Sequence, residues 1–310
     1  MKKLLLTFQL SESSLAQIEA LGFEIDYHSE KEDLSELKSD ADALVSFQAV
    51  SRMSPENFSN LEFIQLSSTG IDQVPLSFDE AGIPVSNFKG GYSRSIGEFT
   101  VARLLEVYKG LRLIHQDQAD SKWKVRQDLQ DLDQKKVLIL GTGSISLEIA
   151  TKLQCFGVEL FGASKSGRLK EPFKEVYTTQ EITKVLPAMD VVIGTLPKTP
   201  ETDDFFDDTF FSQMKEGSVF VNVARGNAVD EEALLGHASK FKAIVLDVFK
   251  HEPLPEDDPL RQLENIYISS HNSWISETVI ARREELIVEN LRRFIQGEEL
   301  LNRVDLKKGY

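Results

Sequence analysis

Short apolar runs alternate with polar, helix-compatible stretches from Leu4 to about Pro84. The runs are Leu4–Phe8, Phe23–Ile25, Ala43–Phe47 and Phe63–Leu66, and the stretches between them include Ser14–Leu21 and Lys31–Lys38. That alternation predicts a small parallel α/β unit. The next segment, Ser95–Gln118, carries Ile96, Phe99, Val101, Leu104, Leu105, Tyr108, Leu111 and Ile114 at near-helical spacing with no proline, which predicts one long helix. A second series of apolar runs follows at Lys135–Gly141, Val158–Ser164, Asp190–Pro197, Ser218–Arg225, Ala243–Phe249 and Asn265–His271. These are apolar almost throughout, as expected of parallel strands covered on both faces. Helical patterns lie between them at Ser144–Phe156 and Asp230–Ala238, and an amphipathic pattern at Glu277–Ile295 ends the series. If that last helix crosses back to the first unit, the chain divides into 1–92 with 276–310, and 93–275.

Composition narrows this picture. A chain of 310 residues with 41% hydrophobic content is long enough for two domains with ordinary cores. A net charge of -15 argues against a nucleic-acid or anionic-membrane surface, since phosphate binding needs clustered Lys and Arg. An anionic substrate then needs a local basic residue. The opening Met1–Leu10 has a charged start but too short an apolar run for a signal peptide, and reads as a first buried strand. No run approaches the roughly 18 apolar residues that span a membrane. The lone cysteine, Cys155, excludes an internal disulfide and reads as a small buried hydrophobe, so a reducing cytoplasm fits. His28, His115, His237 and His251 show no metal-site spacing, and no metal is expected.

The first candidate chemistry is a glycine turn. The strand ending at Leu140 runs into Gly141, Thr142, Gly143, Ser144, Ile145 and Ser146, and a helix begins at once. Gly141 permits the tight turn, and Gly143 lets backbone approach a pyrophosphate seated on the helix N-terminus. Ser146 stands where a third glycine is usual, and is small enough for helix and strand to pack. The placement between an apolar strand and a helix points to dinucleotide binding; a plain strand-to-helix turn is the other reading. About 20 residues on, an NAD site presents an acid to the ribose. Here the strand ends Ser164, Lys165, Ser166, Gly167, Arg168, with two cations and two hydroxyls and no acid. A 2′-phosphate is attracted by Lys165 or Arg168, so NADP(H) is the expected preference, with NAD(H) also possible; a solvated basic loop is the bland alternative.

The second is a set of polar groups at three strand ends: Asn222–Gly226, Asp247–Pro253 and Ser269–Asn272. In an open α/β sheet ligands bind beyond the carboxyl ends of the strands, so all three segments can face one crevice. Reducing a 2-keto acid needs a cation to hold the carboxylate and polarise the carbonyl, and an acid to protonate the developing alkoxide. Arg225 suits the first role through its planar fork, His271 the second, and Glu252 would orient the imidazole and favour its protonated form. Taken singly, Arg225 reads as a surface ion-pairing residue, Glu252 as one more acid in an acidic loop and His271 as a core histidine. Joint placement favours catalysis.

With Ser68-Thr69-Gly70-Ile71-Asp72, the Gly141–Ser146 turn, Thr195-Leu196-Pro197, Asn222–Gly226, Leu246–Pro255 and Ser269–Trp274 in this order, the chain resembles the D-isomer-specific 2-hydroxyacid dehydrogenases over nearly its whole length. The resemblance implies that Arg225, Glu252 and His271 are the catalytic trio, and that backbone N–H groups around Ser68, Thr69 and Gly70 hold the substrate carboxylate. It implies that Thr195, Leu196, Pro197, Val223, Ala224, Asp247 and His271 line the cofactor, and that the helix around Ser95–Gln118 takes part in a homodimer. The Ser164–Arg168 run resembles that of NADP-using glyoxylate and hydroxypyruvate reductases. The implied fold class is α/β with two Rossmann-like domains, a doubly wound parallel-sheet cofactor domain inserted in a smaller flavodoxin-like substrate domain.

Three departures refine the expected substrate. Phosphoglycerate-oxidising relatives carry arginine in the loop after the third strand, where this chain has Ser46–Val50, so a phosphorylated substrate is disfavoured. Trp274 occupies a position near the nicotinamide that is small in most of the family, and is a candidate to narrow the substrate pocket. Glu252 stands where formate-oxidising relatives have glutamine. The expectation is a cytoplasmic NAD(P)-dependent reductase of a small 2-keto acid giving a D-2-hydroxy acid. A catalytically inactive dinucleotide-sensing regulatory protein is the competing reading, opposed by the intact Arg, Glu and His.

Overall fold

A computed structural model describes residues 1–307. In chain order it shows β1 (Lys2–Leu6), α1 (Glu12–Ala20), β2 (Phe23–Tyr27), β3 (Ala43–Ser46), β4 (Phe63–Leu66), α2 (Ser77–Glu80) and β5 (Val85–Ser86). Next come α3 (Ser93–Tyr108), α4 (Leu111–Ala119), β6 (Lys136–Leu140), α5 (Ser144–Leu153), β7 (Glu159–Ser164), β8 (Glu175–Thr178), α6 (Ile182–Val185) and β9 (Val191–Gly194). The chain continues through α7 (Asp208–Gln213), β10 (Val219–Asn222), α8 (Glu231–His237), β11 (Ala243–Leu246), β12 (Ile266–Ile268) and α9 (Glu277–Gln296). Two compact units result: Met1–Tyr92 with the chain from Ile275 onward, and Ser93–Trp274.

In the first unit five parallel strands run in the order β2-β1-β3-β4-β5, the flavodoxin-like arrangement. Alternate residues of each strand feed opposite faces. Leu4, Leu6, Val45 and Phe63 pack with Ile18 of α1 and Ile287 and Leu291 of α9, while Leu5, Leu44, Ile64 and Leu66 pack with Phe78 of α2. Between β4 and α9, Asn290 Nδ2 donates to the buried Gln65 Oε1 at 2.6 Å. The return of α9 to this sheet makes the unit discontinuous in sequence.

The second unit is a seven-stranded parallel sheet, β12-β11-β10-β9-β6-β7-β8. Its central strands are buried on both faces, which is why their sequences read as unbroken apolar runs. One face packs on a cluster of phenylalanines, Phe206, Phe210, Phe211 and Phe220, in edge-to-face contact. The chain builds β6, β7 and β8 outward in one direction, then returns to start β9 on the other side of β6. The crevice beyond β6 and β9 is therefore the topological switch point, where ligands bind in such sheets.

Four sequence expectations are corrected. The long helix over Ser95–Gln118 is two helices, because Gly110 adopts a left-handed conformation (φ 58°) between α3 and α4. Lys31–Lys38 forms no helix; Ser35 N–H donates to the Asp33 carboxylate, a local turn that competes with helical bonding. The second series has a seventh strand, β8, whose half-exposed Glu-Val-Tyr-Thr lacks an apolar signature. Cys155 is exposed, not buried. No helix among the described residues is long and apolar enough to cross a membrane. Helix α4 buries none of its residues, and Leu113, Ile114, Trp123 and Val125 on and just after it are exposed.

Glu284 of α9 fastens the first unit together by accepting from Ser14 Oγ at 2.6 Å, from Ser11 N–H at 3.2 Å and from the Ser11 hydroxyl. Burial opposes its ionisation, but the Ser11 and Ser14 hydrogen bonds and the Arg283 charge prevail and hold the carboxyl below its ordinary value. A carboxyl depressed in the folded state contributes stability that is present above the unfolded value and lost as pH falls through the folded one. Glu284→Gln is expected to cost about 1–3 kcal/mol at pH 7 in urea denaturation. The gap from wild type should close as the pH drops below the carboxylate range; a gap that persists there would rule out charge as its cause.

Candidate active site

The glycine turn occupies the switch point. Gly141 has φ 109°, and a Cβ there would stand 2.6 Å from Thr195 Oγ1. Thr195 follows β9; its hydroxyl donates to Leu140 O at 2.7 Å and lies 2.7 Å from Ser146 Oγ. The third-glycine position thus holds a buried serine because its hydroxyl is bonded to the neighbouring strand end. Gly143 precedes α5, no side chain caps that helix, and a Cβ on Gly143 would meet nothing within 4 Å. Open space over an uncapped helix N-terminus fits the pyrophosphate of a dinucleotide. Thr142, Ser144 and Ile145 complete the turn. Ser164, Lys165, Ser166 and Arg168 follow β7, with Lys165 and Arg168 exposed. Leu196 and Pro197 follow β9, and Val223 and Ala224, both buried, follow β10.

Beyond β10, β11 and β12 the backbone itself brings Arg225, Glu252 and His271 together. Gly226 is buried so closely against the next strand end that a Cβ would stand 1.9 Å from the Phe249 carbonyl carbon. Any larger residue would push the Arg225 loop away from the Phe249–Glu252 loop. Phe249 N–H donates to Glu252 Oε1 at 3.0 Å, and Glu252 Oε2 lies 2.9 Å from His271 Nδ1. Burial disfavours ionised Glu252, but the His271 and Phe249 hydrogen bonds and the charges of His271 and Arg225 hold its carboxyl below the ordinary value. An ionised carboxylate only accepts, so His271 carries its proton on Nδ1 toward Glu252. Arg225 Nη1 donates to Ala224 O at 2.8 Å.

His271 is held by Asp247, a residue fully buried at the end of β11. The Asp247 carboxylate accepts from Ser269 Oγ at 2.6 Å, from Asn272 N–H at 2.9 Å and from Ser273 N–H at 3.0 Å, while its backbone carbonyl accepts from His271 N–H at 2.8 Å. His271 itself has φ 53°, a left-handed conformation that a non-glycine residue adopts at a cost of about 1–3 kcal/mol. The four bonds offset that cost. The resemblance marks Asp247 as a cofactor-lining residue; its carboxylate also accepts three hydrogen bonds from the loop. Trp274, half-buried, ends this unit.

Ser68, Thr69 and Gly70 follow β4 in the first unit. Every carbonyl from Ser67 to Gly70 is occupied: the Tyr92 hydroxyl donates to Ser67 O, Phe88 N–H to Ser68 O, Asn87 Nδ2 to Thr69 O and Ser68 Oγ to Gly70 O. Gln73 Nε2 donates to Ser68 Oγ at 2.6 Å. Among the described residues the N–H groups of Ser68, Thr69 and Gly70 donate to no acceptor. No cluster of three or more His, Cys, Asp or Glu suited to a metal ion occurs among the described residues.

A doubly wound sheet with a phosphate-binding turn at its switch point, and an imidazole–carboxylate pair near an arginine at neighbouring strand ends, define a dinucleotide-dependent oxidoreductase. Residues 101–273 match the D-isomer specific 2-hydroxyacid dehydrogenase, NAD binding domain, and the chain belongs to that family. Its cofactor is a nicotinamide dinucleotide. The chain is 29% identical to a hydroxypyruvate reductase of Blautia hydrogenotrophica over 78% of each chain. It is 28% identical to a glyoxylate reductase of Korarchaeum cryptofilum over 96% of this chain and 93% of that one. A solved D-isomer specific 2-hydroxyacid dehydrogenase family protein from Aeromonas salmonicida superposes with a TM-score of 0.82 at 30% identity, over 98% of this chain and 99% of that one.

If Asp247 fixes the His271 loop, Asp247→Asn should expose Asn272 and Ser273 N–H groups that have lost their charged acceptor. Hydrogen exchange at those two amides is expected to accelerate by about tenfold or more, the loss of a charge-assisted bond worth about 1.5–3 kcal/mol. Exchange in β10 and β11 should stay slow. Unchanged exchange at Asn272 and Ser273 would show that the loop stands without Asp247.

Proposed function

We propose that this protein reduces a small 2-keto acid to a D-2-hydroxy acid, with NADP(H) preferred over NAD(H). The observation that carries the reading is the 2.9 Å contact of His271 Nδ1 with Glu252 Oε2, within reach of the Arg225 charge. Bound at the switch point, the nicotinamide supplies the hydride. Glu252 orients the imidazole through Nδ1, leaving Nε2 to give a proton to the oxygen of the carbonyl as it becomes an alkoxide. Arg225 holds the carboxylate and polarises the carbonyl. The unbonded N–H groups of Ser68, Thr69 and Gly70 support their assignment to the substrate carboxylate, since their carbonyls are already engaged and their donors are not. Trp274 is assigned to narrowing the substrate pocket.

For the cofactor, the absence of an acid from Ser164–Arg168 and the exposed Lys165 and Arg168 support NADP(H). Among the described residues the Arg168 guanidinium makes no hydrogen bond or ion pair, so it is available to a phosphate. For assembly, the exposed apolar side chains of α4 and the segment after it favour burial against a second copy of the chain, a homodimer. Light scattering is expected to give twice the chain mass, reverting to the monomer in a Leu113→Glu, Ile114→Glu variant; a wild-type monomer would refute it.

Activity decides the main reading. Glyoxylate, hydroxypyruvate, pyruvate and branched 2-keto acids should be assayed with NADPH and with NADH. Turnover of at least one, faster with NADPH, is expected, and His271→Gln should lower it by roughly 100-fold or more while nucleotide binding persists. Binding of nucleotide without turnover of any keto acid would favour a sensing protein, and near-normal turnover in His271→Gln would remove that residue from proton donation.

A further inference from the structure

Three cations lie in the six residues after β7, and the structure treats them differently. Lys170 Nζ donates to Thr142 O, in the glycine turn, at 3.0 Å. Arg168 donates its backbone N–H to Ser166 Oγ at 3.3 Å, and its guanidinium makes no hydrogen bond or ion pair among the described residues. Among the described residues Lys165 alone of the three is paired with a carboxylate: its Nζ lies 3.3 Å from Glu201 Oε2. Glu201 belongs to the loop after β9, and β6 stands between β9 and β7 in the sheet. The Lys165–Glu201 pair therefore reaches from one neighbour of the glycine turn to the other, across the place where the adenosine end of a dinucleotide must lie.

Glu201 is not there by chance of a floppy loop. The next residue, Thr202, is buried; its hydroxyl donates to Pro197 O at 2.7 Å and accepts from Thr199 N–H at 2.9 Å, and its own N–H donates to Thr199 O. These bonds fix the loop's course, so the acid is presented toward Lys165 from a braced segment. Both partners of the ion pair are nonetheless well exposed, with 71% and 68% of their side chains accessible. A pair so open to water is weak and readily exchanged.

We infer that Glu201 is a specificity-tuning residue which competes with the cofactor's 2′-phosphate for Lys165. A 2′-phosphate carries more negative charge than a carboxylate and offers three acceptor oxygens, so it displaces Glu201. A 2′-hydroxyl does not, and leaves the pair closed. Glu201 thereby lowers the margin by which the chain favours the phosphorylated dinucleotide. The inference rests on the NADP(H) preference proposed above for the same site, and it adds a residue on the opposite loop that weakens that preference.

Binding of 2′,5′-ADP and 5′-AMP to the full chain, by calorimetry, tests this without any turnover. Glu201→Gln is expected to tighten 2′,5′-ADP by about three- to fivefold, the scale of a released surface ion pair, and to leave 5′-AMP unchanged. The gain should shrink in 0.5 M salt, where exposed charges are screened to about 3–5 Å. In a Lys165→Gln background the same substitution should become silent toward 2′,5′-ADP beyond its small long-range effect. Equal tightening of both nucleotides, no tightening, or an undiminished gain without Lys165 would overturn the inference. If wild type binds both nucleotides alike while Glu201→Gln gains for 2′,5′-ADP alone, the competition stands and the NADP(H) preference falls.

Discussion

One buried carboxylate organises the strand-end loops of the second unit. Asp247 sits at the end of β11 with no solvent contact, and three donors from the segment after β12 converge on it. A buried charge is tolerable only when its acceptor sites are filled. The loop fills them, and in doing so must run back over the end of β11. That course forces His271 into a left-handed backbone conformation and turns its ring toward Glu252, which is carried by the loop after β11 itself. The imidazole is thus aimed by a residue that never touches it through its side chain. Removing the charge would leave His271 in the chain and take away the reason for its direction.

The same economy appears one strand over. The loops after β10 and β11 meet backbone to backbone at Gly226, where no Cβ fits against Phe249. At the middle of the sheet the Ser146 and Thr195 hydroxyls tie the glycine turn after β6 to the strand end after β9. In each case a strand-end loop is located by its neighbour, so the polar groups beyond the sheet inherit the rigidity of a core whose strands are buried on both faces. Residues separated by more than forty positions, from Arg225 to His271, come within electrostatic reach because parallel neighbours β10, β11 and β12 end on the same edge.

That edge is why so much was legible in the chain. Unbroken apolar runs announced the central strands, and the order of the polar groups after them announced the crevice. What escaped has physical causes. Strand β8 is a half-exposed edge whose residues have no need to be apolar. Gly110 lies inside an uninterrupted apolar period, and periodicity continues through a left-handed turn that only φ reveals. Asp247 was noticed for its place in the motif, yet its use depends on donors 22 to 26 residues away that no local pattern links to it.

Charge adds a last constraint on the proposed chemistry. The chain as a whole repels anions, with a net charge of -15, so a keto acid must be drawn by the local balance of the site. Arg225 and ionised Glu252 offset each other, and protonation of His271 brings the trio to a single positive charge. A monoanionic keto acid then completes a neutral assembly, and the one proton that makes it neutral is the proton the carbonyl oxygen needs. Within the proposed reading, the state that binds substrate best is therefore the state ready to react.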